Sequence, residues 1–359
     1  MEKVKIGIIG TGYTIGIAQQ HVEAYQANER AELVALFDII PGRAAEWASK
    51  RGLQDIKICE SLQELFDHVD AVSICTPNDT HIDLIIETMK AGKHVICEKP
   101  YAVSYEEGKR AVEFAKNHPE LVALIGFNYR EIPAVKLMKK YIDEGKLGQV
   151  FTCRQELGGP RIANPTGVLL EWRMQEKHSG TGALADFGCH MLDLADYLLS
   201  GTQGKITEVS SLLETFIKER TVIGEDRKDK VTNDDAAVFN AKMESGTLLS
   251  CVSSRIGVPR QMMEIVGEGG MMVFDTFNPN QLKVLFKEKE GGYQSFAFEN
   301  IEIPEELKGE EGHKGLVNEF ISAILDGKPA ARDLERGLYI QYVIDMLKKS
   351  ADEGQVITL

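Results

Sequence analysis

No stretch of this chain is apolar enough to span a bilayer; its longest apolar runs stay well short of the ~18–20 residues a crossing helix needs. A basic block is also missing. The 41 Lys and Arg are outnumbered by 55 Asp and Glu, a formal net charge of −14, which argues against nucleic acid and anionic membrane as partners. Cysteine is sparse: six residues, at 59, 75, 97, 153, 189 and 251, stand singly with no Cys-x-x-Cys and no Cys/His ligand spacing. That excludes a disulfide framework and a zinc site, so no metal is expected. Cys75 and Cys97 lie in apolar runs and read as small core hydrophobes. There is no internal repeat and no low-complexity tail. From Lys3 and Lys5 the chain passes straight into a strand, so no leader is expected. Cytoplasm is the expected compartment, and the sequon Asn78-Asp79-Thr80 carries no meaning there.

What remains is a chain of 359 residues, 43% hydrophobic and 27% charged, enough for two domains with proper cores. Val4 to Ile9 is a β-branched run fit for a buried parallel strand. Gly10-Thr11-Gly12 follows, then Tyr13-Thr14-Ile15-Gly16, then a helical pattern to Tyr25. Strand, glycine turn and helix together suit a pyrophosphate: glycines let the backbone approach, and the helix start offers free N–H groups. The spacing is G-x-G-x-x-x-G, one residue longer than the usual fingerprint. Leu33 to Phe37 is a second strand, with Asp38 at its end about 20 residues past the turn, where an acid accepts the ribose hydroxyls. The same position also suits a helix N-cap before Pro41. An acid there disfavours a 2′-phosphate, so NAD is expected ahead of NADP, with Arg43 nearby to soften the preference.

Helix and strand continue to alternate. A strand at Ala71–Cys75 ends in Thr76-Pro77-Asn78, with His81 in the following helix. Another strand, Val95–Cys97, ends in Glu98-Lys99-Pro100. The alternation predicts a doubly wound parallel sheet, and both polar clusters then fall at the carboxyl ends of strands, on the ligand side. A proline after Lys99 ends the strand and restricts that residue to an extended conformation.

These residues resemble the Gfo/Idh/MocA oxidoreductase family: Gly10-x-Gly12, Asp38, Thr76-Pro77-Asn78 with His81, and Ala91-Gly92-Lys93-His94-Val95 leading into Glu98-Lys99-Pro100. Gly126-Phe127-Asn128-Tyr129-Arg130, Pro133, Gly145-Lys146-Leu147-Gly148 and the run Gly180 to Asp193 extend the likeness over essentially the whole chain. The resemblance implies a Rossmann dinucleotide-binding domain (1–127), then a substrate-binding and oligomerisation domain (128–359). Catalysis would rest on Lys99, Asp186 and His190, and Lys99–Pro100 would be cis. The cofactor contacts are expected at Gly10, Gly12, Tyr13, Thr14, Ile15, Asp38, Arg43, Thr76, Pro77, Asn78, His81, Glu98 and Lys99.

Past Asn128 the pattern changes. Gly158 to Gly167 reads as a long loop and a lid. Leu184–Leu199 is helical, with Asp186 and His190 at i and i+4 on one face. Asp193 either orients the His190 ring or is a structural partner. Asn128, Arg130, Trp172 and Arg173 are further substrate-pocket candidates, Arg130 equally an interdomain ion-pair residue. The acids of 231–235 read as pocket-lining or, more simply, as a solvated loop. Beyond Lys205 successive strands without helices, including one at 293–298 and turns at Ser245-Gly246 and Gly291-Gly292, predict a large, mostly antiparallel open sheet. Helices of the same domain cover one face; the other is a candidate dimer or tetramer face.

Oxidising a secondary alcohol needs a base for the O–H proton, and histidine has a suitable ordinary pKa. A lysine on the same oxygen stabilises alkoxide charge. The expected activity is therefore NAD(P)-dependent oxidation of a secondary hydroxyl of a sugar, inositol or related polyol. An NAD-dependent glycosidase-type enzyme and a non-catalytic dinucleotide-binding regulator of the same fold are the alternatives.

Overall fold

In the computed structural model, which describes residues 3–12, 16–287 and 297–359, the short apolar runs of the first third pair into one parallel sheet. The chain runs β1 (Val4–Ile9), α1 (Ile17–Gln26), β2 (Ala31–Phe37), α2 (Arg43–Ser49), β3 (Lys57–Cys59), α3 (Leu62–His68), β4 (Ala71–Ile74), α4 (His81–Lys90), β5 (His94–Cys97), α5 (Tyr105–Ala115) and β6 (Ala123–Ile125). Serines stop the backbone from fraying at two helix starts: Ser61 Oγ accepts from Glu64 N at 3.1 Å and Ser104 Oγ from Glu107 N at 3.3 Å. Strand order is β3-β2-β1-β4-β5-β6, so the winding reverses between β1 and β4 and opens a crevice at their carboxyl ends.

Register places the residues that follow the strands. Ile9 pairs with Phe37 on one side and Ile74 on the other, Ile74 pairs with Cys97, and Cys97 with Ile125. The next residue of each strand therefore stands in one row along the sheet edge: Asp38, Gly10, Cys75, Glu98 and Gly126. Ladder bonds continue into that row, Gly10 N to Phe37 O at 2.9 Å and Glu98 N to Ile74 O at 3.0 Å among them.

The chain divides into two units, Met1–Asn128 with Glu310–Gln341, and Tyr129–Gly309 with Tyr342–Leu359. The sequence assigns 128–359 to one domain, but residues 310–341 return to the first unit. The reason is apolar spacing on α9 (His313–Asp326). Leu316, Val317, Phe320 and Ile321 share a stripe buried against Val4, Ile6, Tyr25, Ile96 and Leu124.

The second unit holds α6 (Pro133–Asp143), β7 (Val150–Gly158), α7 (Glu176–Ser179) and α8 (Cys189–Gln203). Its strands are β8 (Ile206–Glu214), β9 (Glu219–Thr221), β10 (Lys228–Lys230), β11 (Ala236–Met243), β12 (Leu248–Ser254), β13 (Arg260–Gly267), β14 (Gly270–Asp275), β15 (Gln281–Phe286), β16 (Glu299–Glu302) and β17 (Ile357–Thr358); α10 (Leu334–Glu353) begins in the first unit and belongs to the second from Tyr342 on. Nine strands form one sheet in the order β16-β15-β14-β13-β7-β12-β11-β8-β17, antiparallel except for β7 beside β12. Burial alternates along β11, the mark of a sheet with one covered face. The Ser245-Gly246 turn joins β11 to β12 with Gly246 at φ 91°. Gly291-Gly292 and most of the strand expected at 293–298 lie outside the described residues; β16 begins at Glu299. The β9–β10 pair was not foreseen.

The 158–167 stretch, expected as a long loop and a lid, is a tethered loop. The fully buried Arg220 of β9 donates to the carbonyls of Ile162, Asn164 and Val168, and Arg161 pairs with Glu171 at 2.7 Å. All six cysteines are buried thiols, and no described helix is long and apolar enough to cross a membrane. Replacing Arg220 with Ala strands three carbonyls at once. It should lower unfolding free energy by about 2–4 kcal/mol in denaturant titration and make the 158–168 segment the first site of limited proteolysis.

Candidate active site

The crevice edge of the first unit is shaped for close approach of a ligand backbone. Gly10 has φ 91°, and a Cβ there would sit 2.6 Å from Thr76 Cγ2 and 3.0 Å from Cys75 O, so only glycine fits. At Gly12 a Cβ meets nothing within 4 Å among the described residues, which leaves that side of the turn open. Helix α1 starts at a left-handed Gly16 with no side-chain cap among the described residues and no acid in its first turn, a helix start suited to an anion. Tyr13, Thr14 and Ile15, expected as cofactor contacts, lie outside the described residues. The residues present fit a dinucleotide pyrophosphate.

Asp38 is buried at the end of β2. Its carboxylate accepts from Thr11 N and Thr11 Oγ1, both at 2.8 Å, from Ile40 N at 3.0 Å, and from Arg43 at 2.5 Å. Burial alone would raise its pKa, but the Arg43 guanidinium and the other donors hold it below the usual carboxylate range. Asp38 thus serves as a turn acceptor as well as an acid, with Arg43 and Ile40 N on Oδ1 and Thr11 on Oδ2.

At the end of β5 the Lys99–Pro100 bond is cis. Lys99 is half-buried, and its backbone N lies 3.3 Å from Glu98 Oε2. Glu98 itself is buried. Its Oε1 accepts from His21 Nε2 at 2.9 Å and His313 Nε2 at 3.0 Å. Asn128 Nδ2 lies 3.2 Å from His313 Nδ1. His81 is fully buried, with Nδ1 2.9 Å from Pro100 O and Nε2 3.1 Å from Thr76 O. With one N–H to donate, the neutral ring bonds one of these carbonyls and packs against the other, wedged between the Thr76-Pro77-Asn78 turn and the Lys99-Pro100 turn. Asn78 is buried in the first of those turns, and Thr80 Oγ1 bonds Thr76 Oγ1 and Pro77 O, both at 2.7 Å.

In the second unit the helix expected from Leu184 is not continuous. Leu184–Gly188 is a π turn, and α8 begins after it. The wider turn, not α periodicity, sets the relation of half-buried Asp186 to buried His190; such turns recur at functional sites. The His190 ring stacks on Tyr129 at 3.9 Å with planes 8° apart. The 233–235 run is buried and is not a solvated loop. Buried Asp234 caps the π turn by accepting from Gly182 N at 2.5 Å and Leu184 N at 2.9 Å, and Asp235 accepts from Phe216 N and Ile217 N. Gly182 is required, since a Cβ would lie 1.9 Å from Asp234 O.

Arg130 is an ion-pair residue. It is buried, pairs in bidentate fashion with Asp193, and stacks over Tyr197 at 4.9 Å, all within its own unit. Asp193 is thereby that arginine's partner and not an orienter of His190. Trp172 is partly exposed under the Arg173 guanidinium at 4.1 Å. Burial, with Arg161 nearby, pushes the Arg173 pKa down to about 10, and its carbonyl anchors Asn233 and Arg255. Sequence reasoning missed His21 and His313, and it singled out Asp234 only as one of the 231–235 acids, without its capping role.

A family model described as an oxidoreductase family with an NAD-binding Rossmann fold matches residues 4–125, and the GFO/IDH/MocA C-terminal domain model matches residues 135–273. The chain is 31% identical over 321 residues to levoglucosan dehydrogenase of Pseudarthrobacter phenanthrenivorans, covering 82% of this chain and 80% of that one. It is 29% identical to glucose-6-phosphate 3-dehydrogenase of Bacillus subtilis, covering 78% and 77%. A solved levoglucosan dehydrogenase in complex with NADH and levoglucosan matches with a TM-score of 0.88 at 27% identity over 100% and 99% of the two chains. Removing the Asp38 carboxylate should free Arg43 for a 2′-phosphate. Asp38→Ala should therefore lower the ratio of kcat/KM for NAD over NADP by about tenfold or more, measured with one substrate and both cofactors.

Proposed function

This chain belongs to the Gfo/Idh/MocA oxidoreductase family, and from that premise we propose that it is an NAD-dependent dehydrogenase for a secondary hydroxyl of a sugar or related polyol. The observation that carries the proposal is the position of Lys99 one residue beyond the row Asp38, Gly10, Cys75 and Glu98, on the same sheet edge as the dinucleotide cradle. The names of the relatives, dehydrogenases of levoglucosan and of glucose 6-phosphate, support the sugar class.

Gly10, Gly12 and the start of α1 would hold the pyrophosphate, and Asp38 the adenosine ribose. NAD, when bound, accepts the hydride from the carbinol carbon. His190 takes the hydroxyl proton on an imidazole nitrogen, its ring held flat by Tyr129. Lys99 donates to the same oxygen and stabilises its developing negative charge. Asp186 accepts from a neighbouring substrate hydroxyl or from His190. The balance is one alcohol converted to a ketone, one hydride transferred and one proton released.

On the outer face of the second sheet Leu212, Val238 and Val252 pair across β8, β11 and β12 and remain exposed, 75%, 46% and 42%. That row supports association of copies through this face. Sedimentation should give a dimer or larger species, with a monomer contradicting the reading. Lys99→Ala should lower turnover about 10²–10⁴-fold, followed as NADH absorbance across a panel of inositols, aldoses and anhydrosugars. Full activity in that variant would contradict the role of Lys99.

A further inference from the structure

The Glu98 carboxylate closes a buried polar chain that crosses the first unit. Tyr25 Oη lies 2.7 Å from Ser73 Oγ, and Ser73 Oγ lies 3.1 Å from His21 Nδ1. His21 Nε2 reaches Glu98 Oε1 at 2.9 Å, His313 Nε2 reaches the same oxygen at 3.0 Å, and His313 Nδ1 faces Asn128 Nδ2 at 3.2 Å. The members come from α1, β4, β5, α9 and the segment after β6, and His313 is 215 residues from Glu98 in sequence.

Donors and acceptors balance with both histidines neutral. Asn128 donates to His313 Nδ1 and Ser73 donates to His21 Nδ1, so each ring carries its proton on Nε2 and donates it to Glu98. Tyr25 supplies the hydroxyl that Ser73 then accepts. Two histidines and a glutamate also form a possible cation donor set, with their ligand atoms within 4.8 Å of one another. The Nε2–Oε1 distances are those of hydrogen bonds, and every ring nitrogen already has a partner, so the chain is complete without an ion.

We propose that Glu98 is a positioning residue, held as a carboxylate between two neutral histidines so as to fix the strand end that carries Lys99, and that His313 is its second anchor. The proposal rests on the reading of Lys99 as the group that touches substrate. Glu98 also abuts Gly126, where a Cβ would lie 3.0 Å from Oε1, so the carboxylate has little room to move. The titratable groups that face it are His21 on α1, His313 on α9, His81 on α4, and the Cys75 and Cys97 thiols. Burial pushes the Glu98 pKa up, but donation by His21 and His313 holds it well below the usual range. Losing one donor lets burial prevail. The carboxyl then protonates at higher pH, and its hold on the strand end weakens as pH falls.

The test pairs His313→Leu with His313→Gln, whose amide nitrogen can replace Nε2–H, and adds Glu98→Gln, which keeps an acceptor oxygen but no charge. In the apo protein, ¹⁵N-histidine NMR should show His21 and His313 as neutral Nε2–H tautomers near pH 7. His313→Leu should lower kcat about 10- to 100-fold and bring an acid limb into the pH profile that the parent lacks; His313→Gln should restore most of both. If His313→Leu fails to fold, Glu98→Gln carries the kinetic test, with a similar loss of kcat expected. Unchanged kcat and pH profile in His313→Leu, or in Glu98→Gln when that variant stands in, overturns the proposal. So does a stoichiometric metal ion in the purified parent that His313→Leu releases. If Lys99→Ala keeps full activity while the histidine tautomers are as stated, the catalytic reading fails and the hydrogen-bond network stands.

Discussion

One buried carboxylate organises the ligand edge of the first unit. Glu98 stands where β5 leaves the sheet, and burying it unpaired would cost several kcal/mol. Two histidines from distant helices answer that cost with hydrogen bonds at 2.9 and 3.0 Å. The consequence is architectural. Helix α1, whose start is suited to a pyrophosphate, strand β5, whose end carries Lys99, and helix α9, which returns from the far end of the chain, are joined at a single oxygen atom. The polar groups of this edge are held by partners from several elements, which is how a site is kept in place to within tenths of an ångström.

The same logic recurs in the second unit with different residues. There the key element is the π turn at 184–188, which contains Asp186 and leads into His190. It is capped by the buried Asp234, and Gly182 allows the backbone of the two segments to close within a distance no side chain permits. Tyr129 fixes the plane of the His190 ring, while Arg130, one residue further on, is consumed by Asp193. Neighbouring residues in a single motif thus divide between holding the site and holding the fold.

Much of the first unit was legible from residue order alone. β-Branched and apolar runs marked the strands to within a residue or two, and the parallel sheet followed from their alternation with helices. The family likeness was legible because Glu98-Lys99-Pro100 and the glycine turn are contiguous. What could not be read was pairing across long separations. Nothing near His313 announces a partner at position 98, and the i+3 spacing of His190 and Asp193 suggested a contact that Arg130 takes instead. The π turn was invisible because its apolar pattern is that of an ordinary helix. The full burial of His81 between two backbone carbonyls was equally unreadable from its place beside the Thr76-Pro77-Asn78 turn.

The central claim is that the chain moves a hydride from a sugar carbinol carbon to NAD. It is tested most directly with a sugar deuterated at the carbon to be oxidised, followed by NMR of the nicotinamide. The account predicts one deuterium at C4 of the NADH formed and a ketone without deuterium at that carbon. NADH without deuterium, or NAD binding with no deuterium transfer across the sugar panel, would contradict it.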